Sequence, residues 1–277
     1  MDEQNINILV TLDANYIPPL RMLLHSLAMS DDTSFFTVYV AHASLTAEDF
    51  ARIGSALPAH RFSIRSLEVP PELLCDAPVL RRLTKASYYR LIAPSYLPDD
   101  VDRILYLDPD ITVIRSLRPF YTTDLGDNYI AAAGHFDGFI RFVNQRRLHI
   151  RHNTDYVNSG VLLMDVRKLR ALDNNEQIFD YVRRHARRLF LGDQDTVNAF
   201  YDGHILVMDA RVVNLDERTF RRLCRRGEIS DAWVRENTAI IHYAGSKKPW
   251  NLPYSGTLGQ YYFACREDFE KTIGEPV

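Results

Sequence analysis

The sequence predicts an α/β fold built on a mostly parallel central sheet, and three observations carry that expectation. Through residues 6–115, compact apolar runs of strand length alternate with stretches of helical periodicity, as βαβ units require. With 46% hydrophobic and 25% charged residues, the 277-residue chain can bury a sizeable core. The polar segments Asp13–Tyr16 and Asp108–Asp110 each follow a strand-like run, at the carboxyl ends where such sheets collect ligands.

The elements follow in order. "INILVTL" (6–12) reads as a first strand, and Leu20, Leu23, Leu24 and Leu27 mark one face of a first helix. "SFFTVYVAH" (34–42) is a second strand. "LTAEDFARIGSAL" (45–57) opens with Thr46 three residues before Asp49, close to a capping box, and reads as helix. "RFSIRSLEV" (61–69) alternates as a strand does, and a helix is expected over 84–97, leading into the strand of "RILYLDPDITV" (103–113). Further on, "NSGVLLMDV" (158–166) reads as a strand entering a short helix, and 175–190 as helix. Residues 193–203 suggest a short helix closed by Gly203, "TAIIHYAG" (238–245) a last strand, and 256–271 a closing helix. No repeat or low-complexity linker divides the chain, so one domain over 1–277 is expected.

The net charge of −3 lacks the basic footprint of a nucleic-acid binder, so no nucleic-acid partner is expected. Yet only 5 of the 33 basic residues are Lys, and Arg clusters at 146–151, 183–188 and 221–226. Such clusters suit solvated helix faces, or a surface that meets anionic phosphates or lipid head groups. Cys75, Cys224 and Cys265 show no CxxC spacing, which fits a reducing cytosol rather than a disulfide framework or zinc site. The acidic N-terminus is unlike a signal peptide, and no apolar run approaches the ~20 residues of a membrane span. A cytoplasmic location is expected, with peripheral membrane contact left open.

The chemistry centres on Asp108 and Asp110. Residues i and i+2 on an extended backbone point the same way, so both carboxylates can reach one ion, and Pro109 suits a strand leaving its sheet. Taken alone, D-P-D is also ordinary turn composition. "IIHYAGSKKPW" (240–250) changes the balance: His242 at a strand end precedes Gly245, where backbone can approach a ligand, and Lys248, a point charge suited to phosphate. Hard cations take carboxylates plus substrate phosphates, and imidazole favours Mn²⁺ over Mg²⁺. Together these residues describe a metal–diphosphate clamp.

Six segments in fixed order carry a resemblance: "TLDANYIPPLRMLLHSL" (11–27), "ASYYRL" (86–91), "RILYLDPDITV" (103–113), "YVNSGVLLMDV" (156–166), "GDQDTVN" (192–198) and "HYAGSKKPW" (242–250). Through them the chain resembles glycosyltransferase family 8, which contains bacterial lipopolysaccharide hexosyltransferases and glycogenin. The resemblance implies a single-domain, Rossmann-like nucleotide-sugar fold of the GT-A type. Its nucleotide-binding half would be 1–115 and its acceptor and sugar half 116–277. It implies metal ligation by Asp108, Asp110 and His242. Thr11, Asp13, Asn15 and Tyr16 would hold uridine, with Asp108 also on the donor, and Gly245 and Lys248 would contact the diphosphate. Arg90, Asn158, Asp193 and Gln194 would surround the transferred sugar.

The activity so implied is metal-dependent, retaining transfer of glucose or galactose from a UDP-sugar to a glycan or glycolipid, with Mn²⁺ preferred and Mg²⁺ possible. Gln194 and Asp195 are the candidate catalytic residues beneath the sugar. Retention needs either a nucleophile, for which Asp195 is the nearby carboxylate, or front-side attack by the acceptor. The front-side route is expected, with Gln194 as electrostatic support. Arg82 stands where family members often carry His. Segment 135–152 has no mappable pattern, and acceptor recognition is expected there, with Arg146, Arg147 and Arg151 on that side. A basic, aromatic C-terminal extension seen in some members is absent from this sequence. The alternatives are a nucleotide-sugar hydrolase, a nucleotidyltransferase, for which no Gly-rich phosphate loop is present, and a stress or scaffold protein that keeps the fold without turnover.

Overall fold

A computed structural model describes residues 5–55, 57–80, 86–134, 138–150, 155–251 and 253–274. Strand β1 (Asn5–Thr11) ends in a single 3₁₀ turn (Ala14–Tyr16) that Asp13 caps by accepting from the Asn15 N–H. Helix α1 (Ile17–Ser30) carries prolines in its first turn, where missing N–H donors cost nothing. Strand β2 (Phe35–His42), helix α2 (Ala47–Gly54) and strand β3 (Phe62–Glu68) complete the first units. The capping box is real: Thr46 Oγ1 accepts from the Asp49 N–H, and Asp49 accepts from the Thr46 N–H.

Strands β4 (Arg103–Leu107) and β5 (Ile111–Val113) flank the D-P-D bend, followed by α3 (Arg118–Tyr121), β6 (Ile130–Gly134) and α4 (Gly138–Leu148). Strand β7 (Val157–Asp165) runs into α5 (Val166–Leu172), then α6 (Asn175–His185), α7 (Asp193–Phe200) and β8 (Ile205–Met208). Short helices α8 (Ala210–Val213), α9 (Glu217–Arg225) and α10 (Asp231–Asn237) precede β9 (Ile240–His242) and the closing helix α11 (Gly259–Ile273).

The central sheet has seven strands in the order β3-β2-β1-β4-β7-β6-β8. Pairs among β3, β2, β1 and β4 are parallel, as is β6 with β8, whereas β7 is antiparallel to both β4 and β6. The expected mostly parallel α/β sheet is therefore present, and it runs unbroken across residue 115. Its central strands are buried on both faces, which is why β4 and β7 read as apolar runs rather than alternations. Leu9, Tyr106 and Leu162 face one core, Ile8, Leu105 and Leu163 the other, and α9 to α11 close a third cluster around Leu215 and Phe269.

Two local expectations fail. The described part of 84–97 forms only two 3₁₀ turns, Ala86–Tyr88 and Ala93–Ser95. Pro94 cannot donate inside a helix, and burial of Tyr88, Tyr89, Leu91, Ile92 and Ala93 leaves no solvent face for one. And Asp108 and Asp110 are not on one extended run, because the backbone bends at Pro109 and Asp110. The expected last strand does form, as β9 ending in His242, and it pairs with β5 in a separate two-stranded sheet. Sequence reading passed over β6, β8, α4, α9 and α10: β6 is Ile-Ala-Ala-Ala-Gly, without the β-branched alternation that marks a strand, whereas Asp216 and Ser230 are cap residues that mark the starts of α9 and α10.

Candidate active site

The candidate site lies at the carboxyl ends of β1 and β4. Asp108 continues β4, its N–H donating to Gly160 O at 2.8 Å, and the bend returns Asp110 beside it. Antiparallel pairing of β5 with β9 sets Ile111 opposite His242, and Tyr243 N–H donates to Asp110 O at 2.9 Å. Tertiary pairing, not the i and i+2 spacing, brings the three side chains together. One ligand atom from each of Asp108, Asp110 and His242 lies within 4.8 Å of the others.

The protonation of this cluster follows from a chain of bonds that starts at the backbone. Gly160 N–H donates to Asn158 Oδ1 (2.8 Å), which fixes that atom as the oxygen. Asn214 Nδ2 donates to the same oxygen (2.9 Å), so Asn214 Oδ1 faces His242 Nδ1 at 2.8 Å and accepts its proton. Nε2 is thereby aimed at the acids, 3.2 Å from Asp110 Oδ1 and 3.8 Å from Asp108 Oδ2. Burial works against a charged His242, but Asp110 and then Asp108 raise its pKa. Burial likewise disfavours the Asp110 carboxylate, yet His242 and Lys248 together hold it well below the usual carboxylate range. The pocket calls for positive charge between its two acids.

The donor set fits a divalent cation. Asp108 Oδ1 is occupied by the Tyr106 hydroxyl (2.5 Å) and the Arg90 guanidinium (3.0 Å), leaving Oδ2 toward His242. A Cβ on Gly160 would stand 2.4 Å from His242 Cε1 and 2.6 Å from Asp108 Oδ2, so only glycine leaves the space beside these ligands open. Lys248 donates to Asp110 Oδ2 and to Tyr243 O, beside Gly245 at a φ of +103°. Such a conformation favours glycine.

Arg90 is the hub of the next layer. Its guanidinium stacks over the Tyr106 ring at 4.3 Å, donates to Ser159 O (3.1 Å) and lies 3.3 Å from Asp193 Oδ2 through Nε. That Nε is buried without a hydrogen-bond acceptor among the described residues. Burial and then Asp108 raise the Asp193 pKa, against Arg90, and Ser159 Oγ donates to Asp193 at 3.1 Å. Asn158 Nδ2 donates to Gln194 Oε1 at 3.0 Å, joining Gln194 to the Asn214–His242 chain. Thr11 Oγ1 lies 3.2 Å from the Tyr106 hydroxyl, while Asp13, Asn15 and Tyr16 are exposed at the rim.

Asp195 is tied into the fold. It is fully buried, accepting from Arg147 (2.6 and 2.7 Å), Tyr156 (2.6 Å) and the Leu191 N–H (2.8 Å). With its oxygens so occupied it does not present a free nucleophile to the cleft. Arg147, expected on the acceptor side, is turned inward by the same bonds. Arg82 and Arg151 lie outside the described residues. Sequence reading missed Asn214, Tyr106 and Gly160. Gly160 stood unremarked inside "NSGVLLMDV", read as strand, and Tyr106 inside "RILYLDPDITV". Asn214, between α8 and α9, has no sequence signal of its own.

Residues 7–252 match the family described as glycosyl transferase family 8. The chain is 25% identical to General stress protein A of Bacillus subtilis, over 99% of this chain and 98% of that protein. It is 23% identical to a lipopolysaccharide 1,3-galactosyltransferase of Salmonella typhimurium, over 96% of this chain and 79% of the other. A crystal structure of the galactosyltransferase LgtC, in complex with donor and acceptor sugar analogs, superposes with a TM-score of 0.80 at 25% identity. It covers 97% of this chain and 95% of that one, and the shared architecture is the GT-A sheet expected from sequence.

Proposed function

The chain belongs to glycosyl transferase family 8, and on that premise we propose that it moves glucose or galactose, with retention, from a UDP-sugar to a lipopolysaccharide-type glycan or glycolipid. The observation that carries the reading is the convergence of Asp108, Asp110 and His242 around Gly160, with Lys248 alongside. In this reading the three ligands hold a divalent cation, Mn²⁺ ahead of Mg²⁺ because one ligand is imidazole. When bound, the cation supplies charge stabilisation to the departing diphosphate. A cytoplasmic site of action accords with three free cysteines and with no described helix long and apolar enough to cross a membrane.

The protein's own groups divide the work. Thr11, Asp13, Asn15 and Tyr16 receive the uridine at the end of β1, and Lys248 and the open backbone at Gly245 receive the diphosphate. Arg90 and Asp193, 3.3 Å apart, are placed to meet hydroxyls of the transferred sugar, the guanidinium donating and the carboxylate accepting. Gln194, held by Asn158, offers its amide dipole to positive charge developing on the ring. Asp195, locked by Arg147 and Tyr156, supports front-side attack by the acceptor over a double displacement, and acts by positioning α7.

Titration calorimetry of UDP with and without Mn²⁺ tests the clamp, and NMR of the product linkage tests the transfer. Metal-dependent UDP binding and an α-linked hexoside are expected. UDP affinity unchanged by EDTA, or a β-linked product, would overturn the reading. Donor hydrolysis with no transfer to any glycan would instead favour a hydrolase.

A further inference from the structure

One face beside the cleft combines exposed apolar side chains with cations that lack acidic partners. Phe142 and Val143 on α4, and Phe190 and Leu191 before α7, are exposed by 54, 42, 61 and 41%. Arg147 joins the two pairs, extending from α4 to lie 4.6 Å over the Phe190 ring while its head is held by Asp195. Arg146 lies 5.0 Å over the Phe142 ring. Arg146, Arg187 and Arg188 are exposed, and no carboxylate pairs with them among the described residues. Between α4 and α6 runs an open groove of about 890 Å³ whose walls include Phe142, Arg146, His149, Tyr181 and His185. Burial and then Arg188, His149 and Arg184 lower the His185 pKa, so the positive field of this face is felt within the fold.

We propose that this face docks on an anionic bilayer, with Phe142, Val143, Phe190 and Leu191 entering the interfacial layer and Arg146, Arg187 and Arg188 on lipid phosphates. Exposed apolar side chains with guanidiniums beside them match the two-part character of a lipid interface. Phosphate alone would leave four large apolar groups in water, a patch that otherwise signals a contact surface. Charge complementarity selects anionic lipid over neutral lipid. Leu191 lies just ahead of Asp193 and Gln194, so the docked face borders the mouth of the cleft. The proposal stands apart from the transfer reading, since docking needs none of the cleft residues.

Cosedimentation of the full chain with vesicles tests it, using phosphatidylcholine alone or equimolar phosphatidylcholine and phosphatidylglycerol. Binding to the anionic vesicles is expected, weaker on neutral ones and falling as salt rises. Arg146→Gln with Arg187→Gln and Arg188→Gln should lower the anionic partition by ~10²-fold, from about fivefold per arginine. Phe142→Ser with Phe190→Ser should lower it by up to about tenfold per ring. Circular dichroism and Tm, read beside each variant, should stay at wild-type values. Absence of wild-type binding, or variants that bind as wild type does, would overturn the proposal. So would release from vesicles by millimolar inorganic phosphate, which assigns the face to free phosphate. Capture by polyglutamate without anionic vesicle binding would assign it to an acidic protein instead.

Discussion

His242 donates from Nδ1 to Asn214 Oδ1 at 2.8 Å, and that bond turns Nε2 toward Asp110, 3.2 Å away. A histidine ligand whose other nitrogen is unsupported can rotate and change tautomer, so its partner matters nearly as much as the ligand. Asn214→Ala should weaken Mn²⁺ binding to the UDP complex by ~10–100-fold while far-ultraviolet circular dichroism is unchanged. Calorimetric titration of Mn²⁺ decides it, and wild-type affinity would remove Asn214 from the site.

Asp110 has a structural role that its position at a strand mouth does not suggest. It is buried and pairs with Lys248 and His242, so truncation leaves a mostly buried ammonium without its partner. Asp110→Ala should therefore abolish transfer and also cost on the order of 3 kcal/mol in urea denaturation. Adding Lys248→Met should recover much of the stability and none of the activity. An Asp110→Ala protein as stable as wild type would show the pair to be energetically idle.

Gly160→Ala tests the tight floor of the site. The added Cβ would fall 2.4 Å from His242 Cε1, 2.6 Å from Asp108 Oδ2 and 3.0 Å from Asn158 Oδ1. The ligands must move apart, and a displacement near 1 Å costs ~10²-fold in rate. Stability should fall by about 1–3 kcal/mol, as overpacking does. Steady-state kcat/KM alongside the melting temperature separates the two effects.

Gln194 and Asp195 should behave differently although they are neighbours. On the proposed reading Gln194→Ala removes one polar group facing the sugar, and it should slow turnover by ~10² or less with stability retained. Asp195→Ala strips the partner from Arg147 and Tyr156 and should destabilise by on the order of 3–5 kcal/mol. Mass spectrometry of wild type with a UDP-sugar should find no covalent hexose on Asp195. Its detection would restore double displacement.

Acid stability should depend on Asp31, at the turn into β2. It accepts from the Thr33 and Ser34 N–H groups (both 2.9 Å) and the Ser34 and Ser116 hydroxyls (2.7 and 2.5 Å). Burial opposes ionisation, but these bonds hold the carboxyl far below its ordinary value. A depressed carboxyl contributes stability above its unfolded pKa of about 4 and loses it as pH falls toward the folded pKa. Asp31→Asn should thus cost stability at pH 7 and narrow its gap from wild type below pH about 4, read by urea titration across pH.

Local physics made much of this protein legible in one dimension. Strands β1 to β4 and β7 declare themselves because buried strands must be apolar, and α2 because Thr46 and Asp49 satisfy its first amides. The acids, the histidine, Gly245 and Lys248 could be picked out because a metal–diphosphate clamp, as proposed here, would call for those residue types. What no stretch of sequence contains is their meeting. The β5–β9 pairing sets His242 against Asp110 across 132 positions of chain, the bond from Asn214 chooses its tautomer, and Gly160 leaves the space around it. Likewise Asp195 reads as a free acid until Arg147 and Tyr156 close on it. Side-chain chemistry is a property of residues, whereas convergence, tautomer and burial are properties of the packed chain, and the tertiary structure alone decided them.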